Sequence, residues 1–261
     1  MSGNKRGVDV SSWQHPAGKA IDWPAVKAAG IEFAMVKATQ DVNYTNPYLH
    51  EDLAGARAAG LLVGAYHYVT PGTPGEEQAR YFIQALMGQP LELGAWLDWE
   101  LGPLPDWEVT TLYNALRLET DQVRPGTGLY TGGAWRETFG RLNLPIARLW
   151  EADWGIPAPP AGCLIWQRGQ ETVAGIEGPV DVDELLSTRP VNLPRPAAPV
   201  APAHEVGASS PTPAQVDHVA EVALARSDAA LAAAEEAKAA EVADAATDAA
   251  AGALAVPRVS P

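Results

Sequence analysis

The chain has 261 residues, enough for one large α/β domain with a full core or for a smaller domain with an appendage. Its 32 Asp and Glu outnumber its 18 Lys and Arg, which gives a net charge of −14. Nonspecific nucleic-acid binding and attraction to an anionic membrane both depend on clustered cations, so we expect neither as a partner.

Composition divides the chain near residue 190. All nine Trp and all seven Tyr precede that point, whereas 191–261 contains no aromatic residue and is rich in Ala and Pro. We therefore predict a folded domain over 1–190, an extended Pro/Ala-rich linker over 191–215 and an Ala-rich helical or solvated tail over 216–261.

Several site types are excluded by what the sequence lacks. A single cysteine, Cys163, leaves no intramolecular disulfide framework, and its neighbours "GCLIW" are typical of a small buried thiol. No CxxC or HExxH spacing indicates a metal. The N-terminus "MSGNKRGVDV" has no apolar signal segment and no stretch is apolar for long enough to span a bilayer. We expect no membrane insertion, and a protein held in the cytoplasm of the producing cell until something else releases it.

Short apolar runs alternate with helix-like stretches through the first 130 residues, a pattern typical of a parallel barrel or an open sheet. The first predicted helix is the best punctuated, with Asp22 near the N-cap, Pro24 in the first turn and Gly30 as a stop. Strands are predicted at 7–10, 31–38, 61–68 and 93–100, and helices at 21–30, 47–60, 73–88 and 106–123.

Beyond residue 123 the predicted helices become fewer. Strands are predicted at 127–132, 147–154, 162–169 and 172–183, with one helix at 133–142. The pattern indicates a barrel that begins as repeating β/α units and ends in closely spaced strands. In such barrels the chemistry gathers at the C-terminal ends of the strands.

The stretch "WLDWE" (96–100) contains a pair of acids that share one face of a strand. Asp98 and Glu100 lie roughly 6.6 Å apart at Cα, from a rise of about 3.3 Å per residue. The apolar residues Ala95, Leu97 and Trp99 occupy the opposite face, so we expect the acids to face the barrel interior. Close like charges raise one pKa, and a glycosidase needs one protonated and one ionised acid. A solvated strand edge is the alternative.

Carboxylates and aromatic residues dominate the predicted strand ends. This combination suits carbohydrate, because acids cleave glycosidic bonds and aromatic faces stack on sugar rings. The polar residues at those ends are Asp9, Lys37, Tyr66, His67, Tyr68, Asp98, Glu100, Tyr130, Glu151, Asp153, Gln167, Asp181 and Asp183.

Some of these residues have a structural alternative. Asp9 would also suit a strand-end hydrogen bond to a turn. Lys37 is either a counter-charge for the acids or a cation that reaches solvent. His67 points away from its two tyrosine neighbours, and we expect it to be buried and structural.

Alternation over 150–154 separates two sets of side chains. We expect Trp150 and Trp154 to face the site, and Glu151 and Asp153 to face solvent. The two sets cannot share a face while the strand is regular.

Eight motifs occur in one order: "GVDVSSWQ", "IDWPAVKAAGIEFAMVKAT", "AGLLVGAYHY", "LDWE", "GLYTG", "LWEADW", "IWQ" and "GIEGPVDVDELL". Together they resemble the family 25 glycoside hydrolases, the N-acetylmuramidase-type lysozymes. The resemblance covers roughly residues 6–187, nearly the whole first domain.

The resemblance implies an irregular, TIM-like β/α barrel of about five β/α units closed by further strands. It implies cleavage of the β-1,4 bond between N-acetylmuramic acid and N-acetylglucosamine in the glycan strands of peptidoglycan, without a metal or organic cofactor. By position, Glu100 is implied as the general acid and Asp98, Asp9 and Asp181 as its acidic partners. The implied glycan-binding residues are Tyr66, Tyr130, Trp150, Trp154 and Gln167.

The sequence departs from the family pattern at four positions. Gln40 replaces an acid in "KATQD", and Asp183 replaces the usual Asn near the end of the motif series. In "LWEADW", Glu151 stands where an apolar residue is common and Trp154 where Tyr is common. None of these changes removes the implied acids, so they bear on substrate detail.

Several alternatives stay open from the sequence. A catalytically inactive barrel that binds wall glycan is the rival function. A phage endolysin used for host lysis is favoured over an exported bacterial autolysin. Strand spacing does not decide between retention and inversion, or whether the 2-acetamido group of the sugar acts as nucleophile. The tail is a solvated spacer, a wall-attachment element or an oligomerising helix, although no sustained heptad supports oligomerisation.

Overall fold

The computed structural model describes residues 3–86, 88–100 and 104–186. The predicted linker over 191–215 and the predicted tail over 216–261 lie outside the described residues, as does the predicted boundary at residue 190. No helix in the described part of the chain has the length and apolar character needed to cross a membrane.

Strands and helices alternate along most of the described chain. The strands are β1 (Lys5–Val10), β2 (Phe33–Gln40), β3 (Tyr44–Thr45), β4 (Leu62–Tyr68), β5 (Gly94–Trp99), β6 (Gly128–Gly132), β7 (Leu149–Ala152), β8 (Ile165–Thr172) and β9 (Pro179–Leu185). The α-helices are α1 (Trp23–Ala28), α2 (Leu49–Ala58), α3 (Gly75–Leu86), α4 (Asp106–Val123) and α5 (Gly133–Arg141).

Eight of these strands close into a barrel, and the helices pack on its outside. Pairing runs in the order β1-β9-β8-β7-β6-β5-β4-β2 and returns to β1, while the short β3 pairs only with β2. The barrel strands β1, β2, β4, β5, β6, β7 and β8 pair in parallel in that order, whereas β9 is antiparallel to both of its neighbours and β3 is antiparallel to β2. The predicted β/α barrel is confirmed, with five β/α pairs followed by β7, β8 and β9.

Local sequence explains where the first helix begins and ends. The Asp22 carboxylate accepts a hydrogen bond from the Ala25 backbone N–H at 3.1 Å, and Pro24 occupies the first turn. Gly30 follows with φ of 87°, a conformation that disfavours a side chain. The helix is therefore shorter than the predicted 21–30, because its capping residues lie outside it.

The hairpin between β8 and β9 corrects one predicted element. The sequence predicted a strand over 172–183, whereas β8 continues to Thr172 and β9 begins only at Pro179. Gly175 and Gly178 lie between them with φ of 95° and 82°, so this stretch turns instead of extending. Since β9 runs backwards, its first residues lie at the end of the barrel where the parallel strands finish.

The apolar core has an inner and an outer part. The outer part lies between strands and helices and contains the outward-facing Ala95, Leu97 and Trp99 of β5. This leaves Asp98 on the inner face, as the alternation predicted. The residues packed inside the barrel are Phe33, Met35, Tyr66, Leu93, Trp96, Tyr130, Trp150, Leu164, Ile165 and Leu185.

Gly128 leaves room for a large side chain inside the barrel, so Gly128→Ala should destabilise the fold. An added Cβ would lie 2.2 Å from the Trp96 ring, which other side chains enclose. We expect a loss of about 1–3 kcal/mol, typical of overpacking, in the free energy of unfolding measured with denaturant. Gly140→Ala is the control, since its Cβ meets nothing within 4 Å. Equal effects of the two substitutions would contradict this account.

Candidate active site

Five carboxyl groups meet at the mouth of the barrel. Asp9 lies near the end of β1, Asp98 lies on β5 with Glu100 just beyond it, and Asp181 and Asp183 lie on β9. Asp9 pairs with Asp181 across the β1–β9 ladder, which places both on one face. The pKa of Asp9 is raised by the charges of Asp183, Asp181 and Asp98 in addition to its burial. The four predicted acids thus form one cluster.

Asp98 and Glu100 form a coupled acid pair. Asp98 is 4% exposed, whereas Glu100 has an exposed side chain. Burial and the charge of Glu100 raise the pKa of Asp98 well above its usual range, and partial burial also raises the pKa of Glu100. The buried Asp98 Oδ1 receives no hydrogen bond from a conventional donor among the described residues. A proton between the two carboxyls would give this oxygen a partner.

Burial differs between the two acids and bears on where their proton lies. The family resemblance implies Glu100 as the general acid, with Asp98 as its acidic partner. Deeper burial instead favours the proton on Asp98, and its hydrogen bond to Glu100 lowers the pKa of Glu100. Alternation gave the shared face, but it could not show that Glu100 lies beyond the end of the strand and is closer to water.

Lys37 supplies positive charge to this pair. Its Nζ lies 2.8 Å from Gln40 Oε1 and 4.5 Å from the centre of the Tyr68 ring. Burial lowers the pKa of Lys37, while Asp98 and Glu100 raise it, and in return Lys37 lowers the pKa of both acids. The counter-charge interpretation is therefore supported. Because Gln40 is neutral, it leaves the charge of Lys37 uncancelled.

Gln167 connects Asp9 to two aromatic residues. Its Nε2 donates to Asp9 Oδ2 at 2.9 Å, and its Oε1 accepts from Tyr130 Oη at 3.0 Å and Trp154 Nε1 at 3.1 Å. A β-bulge follows Gln167 in β8, a device that often re-aims a side chain beside a site. Trp154 is 51% exposed, so it can offer a ring face to a sugar.

Trp150 lies beneath the site and does not line its surface. It is 1% exposed and contacts the rings of Tyr130, Tyr66 and Trp96 edge-on, with ring centres 4.5, 5.9 and 6.0 Å away. The prediction that Trp150 lines a glycan groove is therefore corrected, because the barrel interior encloses its ring. Tyr66 and Tyr130 are also largely buried, so they offer a ligand little more than an edge.

The outward face of β7 holds an ion pair whose carboxylate is buried and whose arginine is partly exposed. Arg136 on α5 donates from Nη1 to both carboxylate oxygens of Glu151, at 3.0 and 2.8 Å. The prediction that Glu151 faces solvent is wrong, because α5 covers this face of the strand. Asp153 follows the end of the strand and is half-exposed.

His67 is buried and structural, as predicted. Its Nδ1 lies 2.8 Å from Thr39 Oγ1 and its Nε2 lies 3.0 Å from Gln78 Oε1. Burial lowers the pKa of His67 to about 4, so the ring is neutral near pH 7. It belongs to the outer face of β4, away from the acids.

Asp183 is the member of the cluster that the sequence placed at a strand end without assigning it a catalytic role. It is 0% exposed and lies opposite Gln167 and Gly7 on the neighbouring strands. Its spacing from Asp181 repeats that of Asp98 and Glu100, so alternation on β9 was a signal that could have identified it. Depth inside the barrel was not visible in the sequence.

The family model for glycosyl hydrolases family 25 matches residues 8–172. The chain belongs to glycosyl hydrolases family 25. The match contains Asp9, Asp98 and Glu100 and ends before β9, so Asp181 and Asp183 lie beyond it.

Similar proteins carry the names lysozyme or N,O-diacetylmuramidase. Lysozyme M1 from Streptomyces globisporus is 32% identical over 197 residues, which cover 67% of this chain and 66% of that protein. The N,O-diacetylmuramidase from Chalaropsis sp is 31% identical over 212 residues, or 70% of this chain and 99% of that protein. The crystal structure of the bacterial lysozyme from Streptomyces coelicolor has a TM-score of 0.61 at 28% identity and covers 74% of this chain and 96% of that one.

Replacing Lys37 with Gln should move the titration of the acid pair to higher pH. The cation favours the ionised carboxylates, so its loss raises the pKa of Asp98 and Glu100 further. The measurement is a carbon-13 NMR titration of the side-chain carboxyls. Lys27→Gln, which removes an exposed cation from α1, should leave both titrations in place. Unchanged titrations in Lys37→Gln would rule out the counter-charge role.

Proposed function

We propose that the protein is a lysozyme that hydrolyses the β-1,4 bond between N-acetylmuramic acid and N-acetylglucosamine in peptidoglycan. The observation that carries this proposal is the proton-sharing pair Asp98 and Glu100 at the mouth of a family 25 barrel. Relatives named lysozyme and N,O-diacetylmuramidase support the choice of bond.

Glu100 is the proposed general acid. It lies at the exposed end of the pair, where a glycosidic oxygen can approach. A sugar that covers Glu100 removes water from it, which raises its pKa and moves the shared proton from Asp98 towards Glu100. Glu100 then donates this proton to the leaving oxygen as the glycosidic bond breaks, and ionised Asp98 remains next to the positive charge that develops on the sugar ring. Water adds to the anomeric carbon and returns one proton to the carboxyl pair, which restores the acid.

Asp9 and Asp181 are proposed to stabilise the same positive charge. They lie side by side on β1 and β9, within electrostatic reach of the pair. Gln167 holds Asp9 in place, and it also fixes the exposed indole of Trp154 through the same amide. The glycan strand is thus proposed to bind with a sugar stacked on Trp154 and its scissile bond above Glu100.

Glu100→Gln should abolish hydrolysis and keep the fold, since the amide has the same shape but has lost the acidic proton. We expect turnover of purified peptidoglycan to fall by about 10²- to 10⁴-fold, followed by mass spectrometry of new muramic-acid reducing ends. Glu137→Gln removes an exposed acid from α5 and is the matched control.

This digest also separates the proposed enzyme from the alternative of an inactive barrel. Binding to peptidoglycan without new reducing ends in the wild-type protein would favour a glycan-binding role. Full activity in Glu100→Gln would remove Glu100 from the proposed mechanism while leaving the hydrolase intact.

A role in host lysis by a phage enzyme released from the cytoplasm stays a prediction. Expression in a susceptible bacterium tests it, with lysis expected only after the inner membrane is permeabilised. Lysis without permeabilisation would contradict this prediction, because the protein would then reach the wall by itself.

A further inference from the structure

Asp183 is a buried carboxyl to which the proposed mechanism gives no role. It is fully buried, and its Oδ1 accepts a hydrogen bond from Trp150 Nε1 at 2.8 Å. Its Oδ2 is also buried, and no conventional donor among the described residues reaches it. An ionised carboxylate with one side unsatisfied would be strongly disfavoured at this depth.

Asp9 is the group that completes Asp183. Two ionised carboxylates could not hydrogen-bond to each other because neither has a proton to donate, so a proton between Asp9 and Asp183 would give the buried Oδ2 its missing partner. Across the ladder Asp183 faces Gly7, and Asp9 is the next residue on the same face of β1. Gly7 has no side chain to separate them, and an added Cβ would meet the Phe33 ring.

We propose that Asp183 is a positioning residue that shares one proton with Asp9 and thereby holds Asp9 against Gln167 at the site. This inference rests on the proposed lysozyme function for its effect on activity, although the shared proton is independent of it. One oxygen of the Asp9 carboxyl accepts a hydrogen bond from Gln167. The proton shared with Asp183 then fixes the remainder of this carboxyl group.

The surroundings of Asp183 favour one negative charge on this pair and disfavour two. The groups that face it from the neighbouring elements are acidic or neutral: Asp9 from β1, Asp181 from β9, Tyr130 from β6, Trp150 from β7 and Gln167 from β8. None of these groups brings a positive charge. Burial raises the pKa of Asp183 to about 8, and burial with the charges of Asp183 and Asp181 raises that of Asp9.

The shared proton has a consequence for stability that can be measured without activity. An unfolded Asp has a pKa of about 3.9, so above that pH the unfolded chain releases a proton that the folded pair keeps. The folded state then binds more protons than the unfolded state, and stability falls as pH rises from about 4 to about 8. Asp183→Asn removes this proton, because the amide donates to Asp9 at every pH.

The first experiment compares full-length wild type and Asp183→Asn by denaturant unfolding from about pH 5 to about pH 8. For each unit by which pH rises, the folding equilibrium constant of the variant should increase about tenfold relative to that of the wild type. Glu184→Gln is the control, since Glu184 points to the other face of the same strand, and its ratio should stay flat. Parallel curves for wild type and Asp183→Asn would overturn the proposal.

Infrared spectra provide a second readout that depends neither on turnover nor on unfolding. At neutral pH the wild type should show one protonated carboxyl more than Asp183→Asn, and equal carbonyl intensity would overturn the shared proton. Asp183→Ser, a smaller neutral residue, replaces Asp183→Asn in both comparisons if the amide variant does not fold.

Activity then tests the positioning role itself. Where alkaline pH removes the shared proton from the wild type, the ratio of kcat/KM on peptidoglycan, variant to wild type, should rise by about tenfold per pH unit. An unchanged pH profile would overturn the positioning role. Absence of hydrolysis in the wild type would instead refute the proposed function and leave the stability and infrared results valid.

Discussion

The mouth of the barrel depends on one constraint, which is that five carboxyl groups lie together with a single lysine among the groups that act on them. Water cannot reach the deepest of these acids, so most of them cannot be charged at the same time. Some of these acids must therefore keep a proton in the folded state. Buried oxygens on Asp98 and Asp183 have no conventional donor among the described residues, and each lies in an acid whose pKa a neighbouring carboxyl influences.

The rest of the barrel holds these acids in place. Packed aromatic rings fill the interior below the acids, and Trp150 contacts three other rings there. The acids therefore lie directly above tightly packed side chains. The side-chain amide of Gln167 binds both Asp9 and the exposed indole of Trp154. The position of this acid is therefore linked to the position of the indole. The charged acid and the sugar-binding indole are thereby fixed relative to each other.

Alternation in the sequence predicted the faces of the strands but not their depth. It placed Asp98 inside the barrel and His67 outside, and both assignments are confirmed. It placed Glu151 in water, because nothing in a single strand shows that a later helix brings Arg136 over it. Trp150 and Asp183 show the same limit: a residue that faces inwards can lie at the surface of a site or beneath it, and only the closed barrel decides which.

The position of β9 in the chain links closure of the barrel to the acid cluster. β1 and β9 are the first and last strands of the described chain, and their pairing completes the ring of strands. The same strand carries Asp181 and Asp183. A chain still being synthesised, with eight strands made and the ninth missing, has neither a closed ring nor its full set of acids. Completion of the barrel and completion of the site are therefore a single event, reached only when the last strand emerges.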